Sequence, residues 1–225
     1  MRSSLIAAAA LAALCACGPS TGNSAGSGSN TLRVDGNVSA SETVNNGSMA
    51  SEFNTDFAVR VTKAGAAVTG ATVIVRSSCG EVTLTDAMGD GNYAGAQASY
   101  CQTYSLDVTS GSDRVQGVTV VGPGIHRIDA PTERQNVNPR EALSVRWNSA
   151  GAATVRLESR EYNTTITPDR GAGEIPANRL RSAPGTATNE RVRVIRANSV
   201  QPAGAVAGSS FSVSIRNQVE FFTLL

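Results

Sequence analysis

From Leu32 onward the sequence alternates apolar and polar side chains in short runs, and no stretch of helical length repeats apolar residues every 3.6 positions. A strand turns successive side chains to opposite faces, so runs of this kind can bury one face of a sheet but cannot build an amphipathic helix. Phe57, Val59 and Val61 alternate with Ala58, Arg60 and Thr62, and Val82 and Leu84 alternate with Glu81, Thr83 and Thr85. Tyr104, Leu106 and Val108 alternate with Thr103, Ser105 and Asp107, and Val118 and Val120 with Thr119 and Val121. Asn46-Gly47, Gly89-Asp90-Gly91, Gly111-Ser112 and Gly122-Pro123-Gly124 supply turns between the runs. Strands this short and this frequent predict an all-β fold built of antiparallel sandwiches.

The pattern pauses between Pro131 and Pro139, a polar strip suited to an interdomain hinge. It resumes with Leu143, Val145 and Trp147, then Val155 and Leu157, Val192 and Val194, and Phe211, Val213 and Ile215. The expectation is two small antiparallel sandwiches in tandem, over residues 31–129 and 130–225. Trp147 would pin the second core. The apolar end, Val219 to Leu225, would be either its last strand or an edge open to a partner.

The N-terminus follows a different rule. Arg2 precedes ten residues without a polar side chain, Leu5 to Leu14, which matches an export signal and is too short to span a bilayer. Residues 18–30 hold 8 Gly or Ser among 13 and no large apolar residue, so they read as a flexible linker. Cys79 and Cys101 follow one strand and precede another, an arrangement suited to a structural disulfide in an oxidising compartment.

Leu14-Cys15-Ala16-Cys17 resembles the bacterial lipobox, with Leu14, Ala16 and Cys17 in its defining places. The resemblance implies cleavage after Ala16, a signal peptide of residues 1–16 and a diacylglyceryl-modified Cys17. Residues 17–30 would then form a tether, with the outer membrane as destination because Gly18 is not Asp. An ordinary export signal cut near Ala16 also fits the small residues. Val68-Thr69-Gly70-Ala71-Thr72-Val73, with Leu84-Thr85-Asp86 and Gly91-Asn92-Tyr93, resembles the immunoglobulin-like and carboxypeptidase-regulatory-like modules of bacterial surface proteins. Leu143-Ser144-Val145-Arg146-Trp147 resembles the opening of a fibronectin type III-like module. These likenesses imply adhesion, spacing or assembly and bring no catalytic residues with them.

Charge narrows the partners. The chain has 19 Lys and Arg against 18 Asp and Glu, a balance that argues against nucleic acid. Residues 18–129 hold 6 basic and 10 acidic residues, whereas residues 130–225 hold 12 and 8. Arg191, Arg193 and Arg196 are candidates for holding phosphate or carboxylate groups. Asp86 to Gly91 approaches a calcium loop, but Met88 and Gln97 stand where ligands are needed, so a hairpin turn is the simpler reading. His126 is the only histidine and no Gly-x-Ser-x-Gly elbow occurs, so neither a metal nor a catalytic set is expected, and no cofactor. The expected role is non-catalytic: a membrane-anchored module that binds or spaces an envelope protein, or alternatively a polysaccharide binder.

Overall fold

The computed structural model describes residues 22–225. In chain order its strands are β1 (Ser27–Gly28), β2 (Leu32–Glu42), β3 (Phe53–Lys63), β4 (Ala66–Ala67), β5 (Thr72–Ser77) and β6 (Gly80–Leu84). There follow β7 (Asn92–Ala98), β8 (Thr103–Ser110), β9 (Asp113–Val121), β10 (Ile128–Ala130), β11 (Asn136–Val137) and β12 (Leu143–Trp147). The chain ends with β13 (Thr154–Glu158), β14 (Asn163–Ile166), β15 (Ala172–Ile175), β16 (Thr188–Val200) and β17 (Ser210–Thr223). The expected all-β class is observed. The sequence expectations for the signal peptide, Cys15 and Cys17 lie outside the described residues.

The strands form three sheets. One runs β1-β9-β8-β5-β6, a second runs β10-β12-β15, and the largest runs β14-β13-β16-β17-β2-β3-β4, with β7 also paired to β3 and β11 to β17. The large sheet backs both of the others. Its inward side chains from β2 and β3 close a first core with Tyr104, Leu106, Val118 and Val120 of the five-stranded sheet. Those from β13 and β16 close a second core with Val145, Trp147 and Ile175 of the three-stranded sheet.

Strand β17 belongs to both cores. Phe211, Val213 and Ile215 are buried in the first, and Val219 and Phe221 in the second. Its alternation never breaks, because the odd-numbered residues face inward throughout. Between the two apolar sets lies Asn217, fully buried. Its amide donates to the carbonyls of Gly47 and His126, and its oxygen accepts from the N–H groups of Gly47 and Gln218, so the core boundary leaves no polar atom of this side chain orphaned.

The boundary expected between residues 129 and 130 is therefore not a boundary of the large sheet. Strand β17 runs antiparallel to β16 and parallel to β2, pairing Ser210 to Arg216 with Asp35 to Ser41. A segment from the C-terminal end thus completes the core that the N-terminal half begins. Neither periodicity nor turn chemistry carries that information, since strand partners separated by about 175 residues leave no local mark.

The expected linker also differs. Asn23 accepts a hydrogen bond from the Val121 N–H at 2.7 Å, Ser24 and Thr119 exchange two backbone bonds, and Ser27 and Gly28 pair with Gln116 and Val115. Asn30 donates its N–H to Gly204. Small residues here serve close approach instead of freedom: a β-carbon on Gly28 would collide with the carbonyls of Arg114 and Gly204. Gly36 follows the same logic inside the core, where the Phe211 ring lies where its side chain would be.

Cys79 and Cys101 form the expected disulfide, with α-carbons 6.1 Å apart. It ties the β5-β6 turn to the start of β8, and closing this loop is worth about 3 kcal/mol in the chain-entropy view.

Candidate functional site

The arginines singled out in the sequence separate at once. Thirteen residues of β16 alternate, and Arg196 has the same parity as Val192 and Val194. It therefore points inward and is almost completely buried. Its Nε donates to Asp169 Oδ2 at 2.7 Å, and one terminal nitrogen donates to the Gly124 carbonyl and to Ser149 Oγ, both at 2.9 Å. This corrects its assignment as an anion-binding residue, because its anion is already inside the protein.

Asp169 is held equally fully. Oδ1 accepts from Trp147 Nε1 and the Gly171 N–H, and Oδ2 accepts from the Ala152 N–H as well as from Arg196. Burial alone would raise this carboxyl, but these donors and the guanidinium charge hold its pKa below the ordinary value. Glu190 plays a similar part nearby. It is fully buried, accepts backbone N–H groups of Arg160, Arg181 and Arg191, and lies 3.6 Å from the Arg160 guanidinium. Arg160 thus turns to Glu190 and away from Arg156 and Glu158 on β13. Those two do pair, at 2.7 Å.

His126 is also inside, with Nε2 3.1 Å from the Val194 carbonyl and Nδ1 without a partner. Burial first, and the Arg196 charge second, push its pKa down to about 4. The folded protein therefore refuses a proton that the unfolded chain accepts near pH 6.5. Stability should fall as pH drops from 6.5 to 4, by about 3 kcal/mol at 1.36 kcal/mol per unit. Asp169 has a lowered pKa, so its own contribution persists at these pH values and is lost only at still lower pH. Urea midpoints measured between pH 7 and pH 4 check this, and H126Q should flatten the profile across that window.

Asp86 is occupied by its turn: its two oxygens accept the N–H groups of Asp90 and Gly91. Among the described residues no group of three or more His, Cys, Asp or Glu is placed to hold a metal ion.

What remains available lies on the outer face of the large sheet. Strand pairing brings Thr165, Arg156, Ile195, Arg216 and Ser41 into one row across five strands. The adjacent row is Thr154, Ala197, Ser214 and Ser39. Small side chains at the centre and longer ones beside them leave an open trough of about 570 Å³. Arg216 leans on the nearly buried carboxylate of Glu42 at 3.1 Å. On the same face of β16, Arg193 bonds Gln218 and stands opposite Glu158 in register, with no salt bridge among the described residues, and burial together with the charges of Arg216 and Arg191 lowers its pKa. Arg191 and Arg193 thus face outward as expected, while Arg156 and Arg216 join them from other strands. Arg179 and Arg181 are exposed outside the strands. The outward parity of Arg156 and Arg216 is readable in the sequence, but the pairing order that gathers them is not.

No known protein family matches the chain, and no curated protein sequence matches it significantly. Among solved structures it is similar to the fibronectin(III)-like modules of Clostridium thermocellum CbhA, at 14% identity and a TM-score of 0.23, over 82% of this chain and 92% of that one. It is similar to the D0-D1 domain of intimin at 13% identity and a TM-score of 0.25, over 85% and 99%. A chimeric titin Z1Z2 matches at 12% identity and a TM-score of 0.23, over 86% and 97%.

Proposed function

We propose that this chain is a non-catalytic binding module of a bacterial cell envelope, anchored to the outer membrane through lipid on Cys17. The reading rests on where the polar chemistry is spent. Asp169, Glu190 and Arg196, buried ionisable groups that could have formed a reactive centre, are held by backbone groups and arginine–carboxylate pairs, and His126 is buried against the Val194 carbonyl. The outer sheet face is left as an open surface of hydroxyls and arginines, which suits holding a partner and offers no enclosed place for a reaction.

The anchor is supported by the order of Leu14, Ala16 and Cys17 after an apolar run. With Asn23 already bonded to β9, five residues separate Cys17 from it, so the body would stand at most about 22 Å from its anchor. Such a short lead favours a module that works close to the membrane. The alternative occupant of the face, a polysaccharide, is favoured by the hydroxyl-rich trough. Fractionation tests the anchor: C17A should appear folded in the soluble periplasmic fraction and lose labelling by fatty acid. Retention of C17A in the membrane fraction would contradict the lipid reading.

A further inference from the structure

We infer that the trough on the outer face of the large sheet binds an extended, carboxylate-bearing polysaccharide. The inference rests on the binding-module reading and names its ligand class. Its floor is Ser39, Ser214, Ala197 and Thr154, and Arg156 and Arg216 stand along one long side, with Arg193 one row beyond.

Shape limits the occupant first. The trough crosses five strands, about 19 Å at 4.8 Å per strand, and is open along its length. A planar lipid surface cannot enter a concave face, whereas a linear polymer can lie along it. Chemistry limits it further. Protein interfaces centre on aromatic or large aliphatic anchors, and here Ile195 is the outward apolar side chain larger than alanine, since Val155 is buried in the second core. Single-stranded nucleic acid needs aromatic stacking platforms, and the trough has no aromatic side chain. A glycan matches the hydroxyl and amide groups of Ser39, Ser41, Asn37 and Thr165.

Charge then selects the acidic glycans. Among the described residues Arg193 forms no salt bridge, although Glu158 stands opposite it in register, and Arg156 and Arg216 approach Glu158 and Glu42 through Nε. Forked donors of this kind fit a carboxylate in two parallel bonds. Arg191 lies a further row along β16, where Glu220 of β17 stands opposite it.

Titration of the full chain in detergent with oligogalacturonate tests this, with the methyl-esterified oligomer as the neutral control. Binding should be confined to the acidic oligomer and weaken as salt is raised. The double variant R156Q/R193Q should lose about a hundredfold in affinity, since each of the two charge-assisted bonds is worth roughly a factor of ten. S214W, which fills the floor without touching charge, should abolish binding while the melting curve stays near that of the parent. Equal binding of the esterified oligomer, undiminished binding by both variants, or no binding of oligogalacturonate would each overturn the inference. If the acidic oligomer fails while the chain still fractionates with the membrane and cross-links to a protein through this face, the ligand class falls and the tethered module stands.

Discussion

Replacing Arg196 by alanine is expected to destabilise the protein by about 3–5 kcal/mol, a large share of the 5–15 kcal/mol that holds a typical chain folded. The reason is what stays behind. Asp169 would retain its negative charge in a place with no water, while the Gly124 carbonyl and Ser149 Oγ would lose their donor. Removing the acid as well should not restore stability. In the R196M/D169L double variant the charges are gone, but Trp147 Nε1 and the N–H groups of Ala152 and Gly171 lose their acceptor. A buried pair with no other obligations can be exchanged for apolar residues at little cost. This one also organises the loop that contains Asp169, so the double variant should remain close to the single one. Denaturant midpoints for the three proteins decide the matter, and full recovery in the double variant would show that the carboxylate has no role beyond its arginine.

The second large effect is expected at Phe211. Its ring is fully buried on β17 and lies over Gly36 of β2, where the two strands pair. Truncation to alanine removes the ring from a close-packed core over Gly36, which has no side chain to fill the space, at a cost of about 3–5 kcal/mol. The consequence should also travel. Strand β17 continues without interruption into the second core, so loosening its first half weakens the pairing of its second half with β16. F211A should therefore lower the stability of both cores, although the residue touches only one.

The sequence carried the strand class well because period-two alternation is local. The inward sets of β3, β8, β12 and β17, and the placement of Trp147, were legible from parity alone. Arg196 was legible by the same rule, since an even-numbered residue on that strand shares a face with Val192 and Val194, yet arginine clustering pointed the other way. The outer trough was half legible. Residues such as Ser214, Arg216 and Arg156 could be assigned to the outward face, but only strand order shows that they adjoin one another and Ser39. The docked segment from Asn23 to Asn30 was hidden because glycine and serine serve flexible linkers and tight backbone packing alike. Its partner strand lies about 90 residues away, and nothing in its own composition announces it.

The claim on which the rest depends is that β17 joins the two cores into one cooperative body, because the trough exists only if β2 and β16 are held side by side against it. The direct measurement is urea unfolding of F211A, followed by Trp147 fluorescence for the second core and by far-ultraviolet circular dichroism for all the strands. The two signals should move together to a lower midpoint, by an amount matching the lost 3–5 kcal/mol. A Trp147 transition left at the parent midpoint, while only the other signal shifts, would mean that the cores unfold independently and would contradict the shared strand as their bond.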